Sequence, residues 1–142
     1  MCVIVRFRLQ MPAAPKIKAS FIEPMLLQRT EALPEGPNWI IELKLDGYRA
    51  LAIKSGGKVQ LRSRNDNDFS ARYPAITKAL QPIPDETVID GEVVALDEEG
   101  RPSFNMLQNY ASGAPLHYFI FDVLILKGKN CLLYTSPSPR DS

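Results

Sequence analysis

The sequence predicts an α+β fold in which antiparallel strands dominate and short helices lie between them. Three observations carry this. Apolar residues alternate at a period of two in several separate stretches, a proline and a serine each stand where a helix could begin, and turn residues punctuate the rest. With 142 residues and 45 % hydrophobic content the chain can bury one core, so one domain is the ceiling. There is no internal repeat.

Residues 1–20, with Pro12, Pro15, Lys16 and Lys18, read as an irregular leader in which Met11 is a second candidate start. Trp39, Ile41, Leu43 and Leu45 then alternate with Ile40, Glu42 and Lys44, the pattern of a half-buried strand that puts Glu42 and Lys44 on one face. Asp46-Gly47 favours a two-residue hairpin, and Arg49, Leu51 and Ile53 continue the alternation beyond it, which would pair Lys44 across from Arg49.

The alternating run Val59-Gln60-Leu61-Arg62-Ser63 is a further strand, ending at Arg64. Pro74 can open a helix over 73–81, with Ile76 and Leu80 one turn apart. Residues 87–96 read as a strand, and Asp97-Glu98-Glu99-Gly100 as a turn. Ser103 can cap a second helix carrying Phe104, Leu107 and Gln108, residues 109–115 read as loop, and 117–126 is apolar on both faces.

After Lys127-Gly128-Lys129-Asn130 the pattern stops. Residues 131–142 look like a translated sequencing adapter, the alternative being a Ser/Pro-rich disordered tail. The expected organisation is therefore a leader (1–20), a folded stretch (21–130) and a tail (131–142).

A net charge of +1, from 17 basic and 16 acidic residues, is no nucleic-acid footprint in itself, so any such contact must come from local patches such as Arg62, Arg64, Arg72 and Lys78. Cys2 and Cys131 form neither a metal spacing nor a disulfide framework, which fits a reducing, cytoplasmic setting. No apolar run is long enough for a signal peptide or a membrane span.

The stretch with most chemistry in it is Glu42-Leu43-Lys44-Leu45-Asp46-Gly47-Tyr48-Arg49. Read alone, Lys-x-Asp-Gly is a solvated surface hairpin, and Arg49 and Arg64 are ordinary exposed arginines. Two carboxylates and a glycine, Asp90-Gly91-Glu92, interrupt an otherwise apolar strand and need partners if buried. Phe121 read alone is a core residue.

Five segments in order change these readings: Glu23-Pro24-Met25-Leu26, Lys44-x-Asp46-Gly47-x-Arg49, Arg62-Ser63-Arg64-Asn65, Asp90-Gly91-Glu92 and Tyr118-Phe119-Ile120-Phe121-Asp122-Val123. With them the chain resembles the adenylation domain of ATP-dependent DNA ligases, especially the bacterial end-joining type. The resemblance implies an incomplete nucleotidyltransferase fold, of the kind shared with mRNA-capping enzymes. It also implies that Lys44 attacks the α-phosphate of ATP, pyrophosphate leaves, and AMP passes to the 5′-phosphate of nicked or broken double-stranded DNA. A free lysine, pKa about 10.4, is only about 0.04 % neutral at pH 7, so such attack needs a depressed pKa, for which Arg49 and a divalent cation are candidates.

By the same resemblance Arg49 and Arg64 contact the phosphate and ribose region, Glu92 accepts the ribose hydroxyls and Phe121 stacks on adenine. Glu42 lies against the base through its side chain or its backbone. Asp46, Gly47 and Gly91 support the site, Gly91 by permitting close approach. The implied cofactors are ATP and Mg2+, and the implied setting is a bacterial cytosol. The family carries a further glutamate motif, a Lys-x-Lys motif and an OB-type barrel that this chain lacks, so the stretch alone is expected to be a poor ligase. Competing readings are an RNA ligase, an mRNA-capping guanylyltransferase, or a nucleotide- or DNA-binding fragment without turnover.

Overall fold

The computed structural model describes residues 15–26, 29, 31–39, 42–110 and 115–132. Most of the expected leader, the centre of the loop expected at 109–115 and nearly all of the tail lie outside them. Among the described residues five strands form one antiparallel sheet, ordered β2-β1-β3-β4-β5.

Strand β1 (Tyr48–Ser55) turns into β2 (Lys58–Ser63) with Ser55 opposite Lys58. The two-residue loop between them is Gly56-Gly57, at φ 57° and 77°, the double left-handed geometry that suits the twist of a hairpin. Helix α1 (Pro74–Ala79) starts at its proline as expected, and β3 (Thr87–Ala95) then pairs with the other edge of β1. Helix α2 (Phe104–Gln108) is capped by Ser103, whose hydroxyl accepts from the Met106 amide. Strands β4 (Leu116–Leu126) and β5 (Lys129–Asn130) complete the sheet beside β3. The turn after β3 forms around Asp97, whose carboxylate accepts the Glu99 and Arg101 amides.

The expected strand over 39–45 is not formed in its described residues: 42–46 are irregular, and Trp39 and Leu43 are exposed. Nor is Asp46-Gly47 a hairpin tip. Both edges of β1 are already taken, by β2 and β3, so no ladder is left for an upstream partner, and Arg49 lies opposite Glu92 rather than Lys44.

Alternation along each strand gives the sheet two different faces. One carries the main core, in which Ala50, Ala52, Leu61, Ile89 and Val93 pack with Tyr73 and Ile76 around α1 and with Leu107 of α2. The other buries Leu51, Ile53, Val88, Leu124 and Ile125 against Ala19, with Phe21 and Ile22 alongside. Residues 17–22 therefore lie as a strap on this second face. The Ile17 amide bonds the Gly128 carbonyl at 2.8 Å, and the Ala19 amide donates to the Glu86 carboxylate.

Candidate active site

Arg49 is the second residue of β1 and points to the strap-bearing face. Its fork grips Asp90 of β3 in two places, Nε to Oδ1 at 3.1 Å and Nη2 to Oδ2 at 2.6 Å. Nη1 donates to the Met25 carbonyl, and the guanidinium carbon stands 5.4 Å from the centre of the Phe121 ring. Three other segments thus fix one cation. The planar fork suits this, because a bidentate carboxylate sets its orientation as well as its charge.

Glu92, directly opposite Arg49, accepts the Gly47 amide on Oε1 at 3.1 Å. The end of the Lys44-x-Asp46-Gly47 stretch is thereby tied to β3. A side chain at Gly47 would collide with the Val93 carbonyl, so glycine is required where the chain crosses this strand. Lys44 and Asp46 are exposed on the irregular stretch just ahead of it, as is Glu42. Between the Cα atoms of Lys44 and Gly47 the chain spans at most roughly 11 Å.

Phe121 owes its position to a bulge. The β3–β4 register places Asp122 opposite Asp90 but Ile120 opposite Gly91, so Phe121 is the inserted residue. Bulges re-aim side chains beside functional sites, and here the half-buried ring is brought to Arg49. The ring is half-buried and lies on the face of the charged cluster.

Gly91 serves a close approach, made by the protein itself. A Cβ there would meet the Phe119 carbonyl at 2.5 Å and the Tyr118 ring at 2.8 Å. The Tyr118 hydroxyl donates to the Ala50 carbonyl at 2.8 Å, and burial pushes its phenol far above the ordinary range.

Arg64 is exposed on a loop with little freedom. Ser63, itself buried, accepts the Asn65 and Asn67 amides on its hydroxyl and donates its own amide to the Asn67 carbonyl. Of the other basic residues expected in a patch, Arg62 is paired with Asp66 at 2.8 Å, Arg72 lies over the Tyr48 and Tyr73 rings, and Lys78 is exposed on α1.

The structure therefore brings Arg49, Glu92, Phe121 and Gly47 together. It adds Asp90, which the sequence reading quoted in a motif but did not place in the site. The available signal was spacing: Asp90 and Glu92 are two apart on a strand, so they share a face. A cavity of about 460 Å³ lies elsewhere, under the strap and against Lys18, Ser55, Lys58 and Arg62, near the far end of β1 from Arg49. Among the described residues no group of three or more His, Cys, Asp or Glu could hold a metal ion.

The family model for the ATP dependent DNA ligase domain matches residues 24–141, running past residue 130 into the segment that the sequence reading set aside. The multifunctional non-homologous end joining protein LigD of Pseudomonas aeruginosa is 40% identical over 114 residues, which is 78% of this chain and 14% of that protein. The SPbeta prophage-derived DNA ligase-like protein LigB of Bacillus subtilis is 32% identical over 114 residues, 78% of this chain and 42% of its own. A solved structure of mycobacterial DNA ligase D complexed with ATP and MES shares the fold at a TM-score of 0.57 and 39% identity, over 63% of this chain and 30% of that one. The chain spans less than half the length of each of these relatives. The matched span, the antiparallel sheet with its short helices, and the in-order motifs agree, and the chain belongs to the ATP-dependent DNA ligase domain family.

Proposed function

We propose that the chain is the nucleophile-bearing part of a DNA ligase adenylation domain and that Lys44 carries AMP. The observation that supports this best is the convergence of Arg49, Glu92 and Phe121 on one face of the sheet, beside the glycine that ends the Lys44 stretch. In the reaction, the neutral Lys44 nitrogen forms a bond to the α-phosphorus of ATP while the bond to the oxygen bridging to the β-phosphorus breaks. Pyrophosphate leaves, and the nitrogen loses a proton. The AMP then passes to a DNA 5′-phosphate, and attack by the adjoining 3′-hydroxyl seals the strand and releases AMP.

Each protein group has a part in that sequence. Nη1 and Nη2 of Arg49 each carry a second N–H beyond those that hold Met25 and Asp90, directed to ribose or phosphate oxygens. By the family resemblance Glu92, which accepts the Gly47 amide, also accepts the ribose hydroxyls, and Phe121, beside the Arg49 guanidinium, stacks on adenine. Arg64, presented by its rigid loop, serves the phosphate side. Glu42 lies against the base. Phosphoryl transfer of this kind depends on positioning and charge neutralisation more than on added acid–base groups. Mg2+ fits as a partner of the ATP phosphates, whose oxygens are its preferred ligands, and not as an ion caged by the described side chains. Among the described residues no helix is long and apolar enough to cross a membrane. On the resemblance to bacterial end-joining ligases, we place the reaction in the cytoplasm.

The test is to give the full protein that contains this chain ATP labelled on its α-phosphate, with magnesium. Covalent label on Lys44, lost in Lys44→Ala and chased onto nicked DNA, is the expected outcome. An unlabelled protein, or label that survives Lys44→Ala, overturns the proposal. Nicked RNA and capping substrates run in parallel decide the polymer.

A further inference from the structure

Tyr48 stands inside the Lys44–Arg49 motif, between the glycine held by Glu92 and the arginine held by Asp90, and none of the roles above uses it. Being next to Arg49 in a strand, its side chain points to the opposite face of the sheet. There it enters an aromatic cluster. Its ring centre is 5.8 Å from that of Phe69 and 5.1 Å from that of Phe104, with the planes inclined at 64° and 57°. The Arg72 guanidinium covers it at 5.4 Å and reaches the Tyr73 ring at 5.5 Å.

These neighbours are themselves anchored. Phe69 meets the fully buried Tyr73 edge-on at 5.8 Å, and its amide bonds the Leu61 carbonyl at 2.8 Å. Phe104 opens α2 directly after the capping serine. The cluster therefore joins β2, the start of α1 and α2 to a single residue of the motif.

We propose that Tyr48 is a positioning residue for the Lys44 loop. Gripped by Phe69, Phe104 and Arg72 on the helix-bearing face while Arg49 is gripped on the other, it stops β1 from rolling about its axis where the loop departs. A roll of about 10° at the end of a lever of roughly 11 Å would move the lysine backbone by about 2 Å. Displacement of that size is enough to cost about a hundredfold in rate when attack must be in line. The inference rests on the adenylation reading given above.

The full protein is compared with its Tyr48→Ala, Tyr48→Phe and Arg72→Met variants by two measurements. One is single-turnover lysine adenylation against ATP concentration. The other is tryptic cleavage after Lys44 in the native protein without ATP. Tyr48→Ala should lower the saturating rate by roughly 10- to 100-fold while the half-saturating ATP concentration stays within about twofold, and should speed cleavage after Lys44 by about tenfold. Tyr48→Phe should match the parent in both, because the ring makes the contacts, and Arg72→Met should fall between. Wild-type rates and cleavage in Tyr48→Ala overturn the inference. So does acceleration shared equally by all tryptic sites, the mark of general destabilisation. Should Tyr48→Ala not fold, Arg72→Met, which removes one grip only, decides by the same criteria. A parent that does not adenylate sinks the reading of function, while the cleavage pattern still decides whether Tyr48 holds the loop.

Discussion

Arg49 and Asp90 form a two-point ion pair diagonally across the β1–β3 ladder, and the Asp90 side chain is only 4% exposed. Glu92, two residues along β3, holds the Gly47 amide instead. The two carboxylates of Asp90-Gly91-Glu92 thus divide the work: one orients the arginine, the other fixes the chain that brings the lysine. A buried acid beside an arginine whose own side chain is 18% exposed is costly to break from either end.

Asp90→Ala should therefore destabilise the protein by about 3 kcal/mol, because it strands a largely buried guanidinium. The double replacement Arg49→Met, Asp90→Leu removes both charges and should recover much of that loss, yet remain inactive in lysine adenylation. Urea unfolding midpoints for the three proteins check the stability side. An unchanged midpoint in Asp90→Ala would mean that the pair contributes nothing, and the proposed orientation of Arg49 would lose its basis.

Gly91→Ala is expected to cost about 1–3 kcal/mol, since its methyl group must displace both the Phe119 carbonyl and the Tyr118 ring. The same variant should weaken the bond from the Tyr118 hydroxyl to the Ala50 carbonyl, because the ring that carries that hydroxyl is the one displaced. Thermal unfolding, with Gly91→Ala compared in Tyr118 and Tyr118→Leu backgrounds, distinguishes this cause. If the smaller leucine does not relieve the penalty, the glycine serves something other than the tyrosine.

Much of the sheet could be read from local patterns, because β2, α1, β3, α2 and β4 each carry their own signal: alternation at Val59-Gln60-Leu61-Arg62-Ser63, Pro74 at a helix start, Ser103 at a cap. Alternation at Trp39, Leu43 and Leu45 looks the same, but β1, its expected partner strand, has both edges taken by β2 and β3, and edge availability is a property of the whole sheet. The Gly56-Gly57 hairpin is legible from its dipeptide, whereas Asp46-Gly47, an equally favourable pair, does not form a hairpin tip. Asp90 could be recognised as an acid out of place. Its partner could not, because pairing it with Arg49 requires the register of two strands some forty residues apart, which no local pattern contains.

Acidification should loosen the strap before it unfolds the sheet. Glu86 accepts the Ser55 hydroxyl at 2.7 Å and the Ala19 amide on its other oxygen, and its carbonyl accepts the Gly128 amide at 2.7 Å. The bond from Ser55 first, then that from Ala19, holds its carboxyl below the ordinary value of 4.5. Undocking the strap removes the Ala19 bond but leaves that of Ser55, so the unstrapped carboxyl lies between the depressed folded value and 4.5, binds more protons in that window, and docking strengthens as pH rises through it. The contribution is complete above 4.5 and is lost as pH falls through the depressed folded value. Hydrogen-exchange protection of the Ala19 amide, corrected for intrinsic rates, should accordingly fall on acidification while that of β3 amides holds. In Glu86→Gln the Ala19 protection should be low throughout and lack the acid step. A parent whose Ala19 protection does not change across the window, or a Glu86→Gln protein that keeps the step, would show that the strap is held by Ile17, Phe21 and Ile22 without the carboxylate.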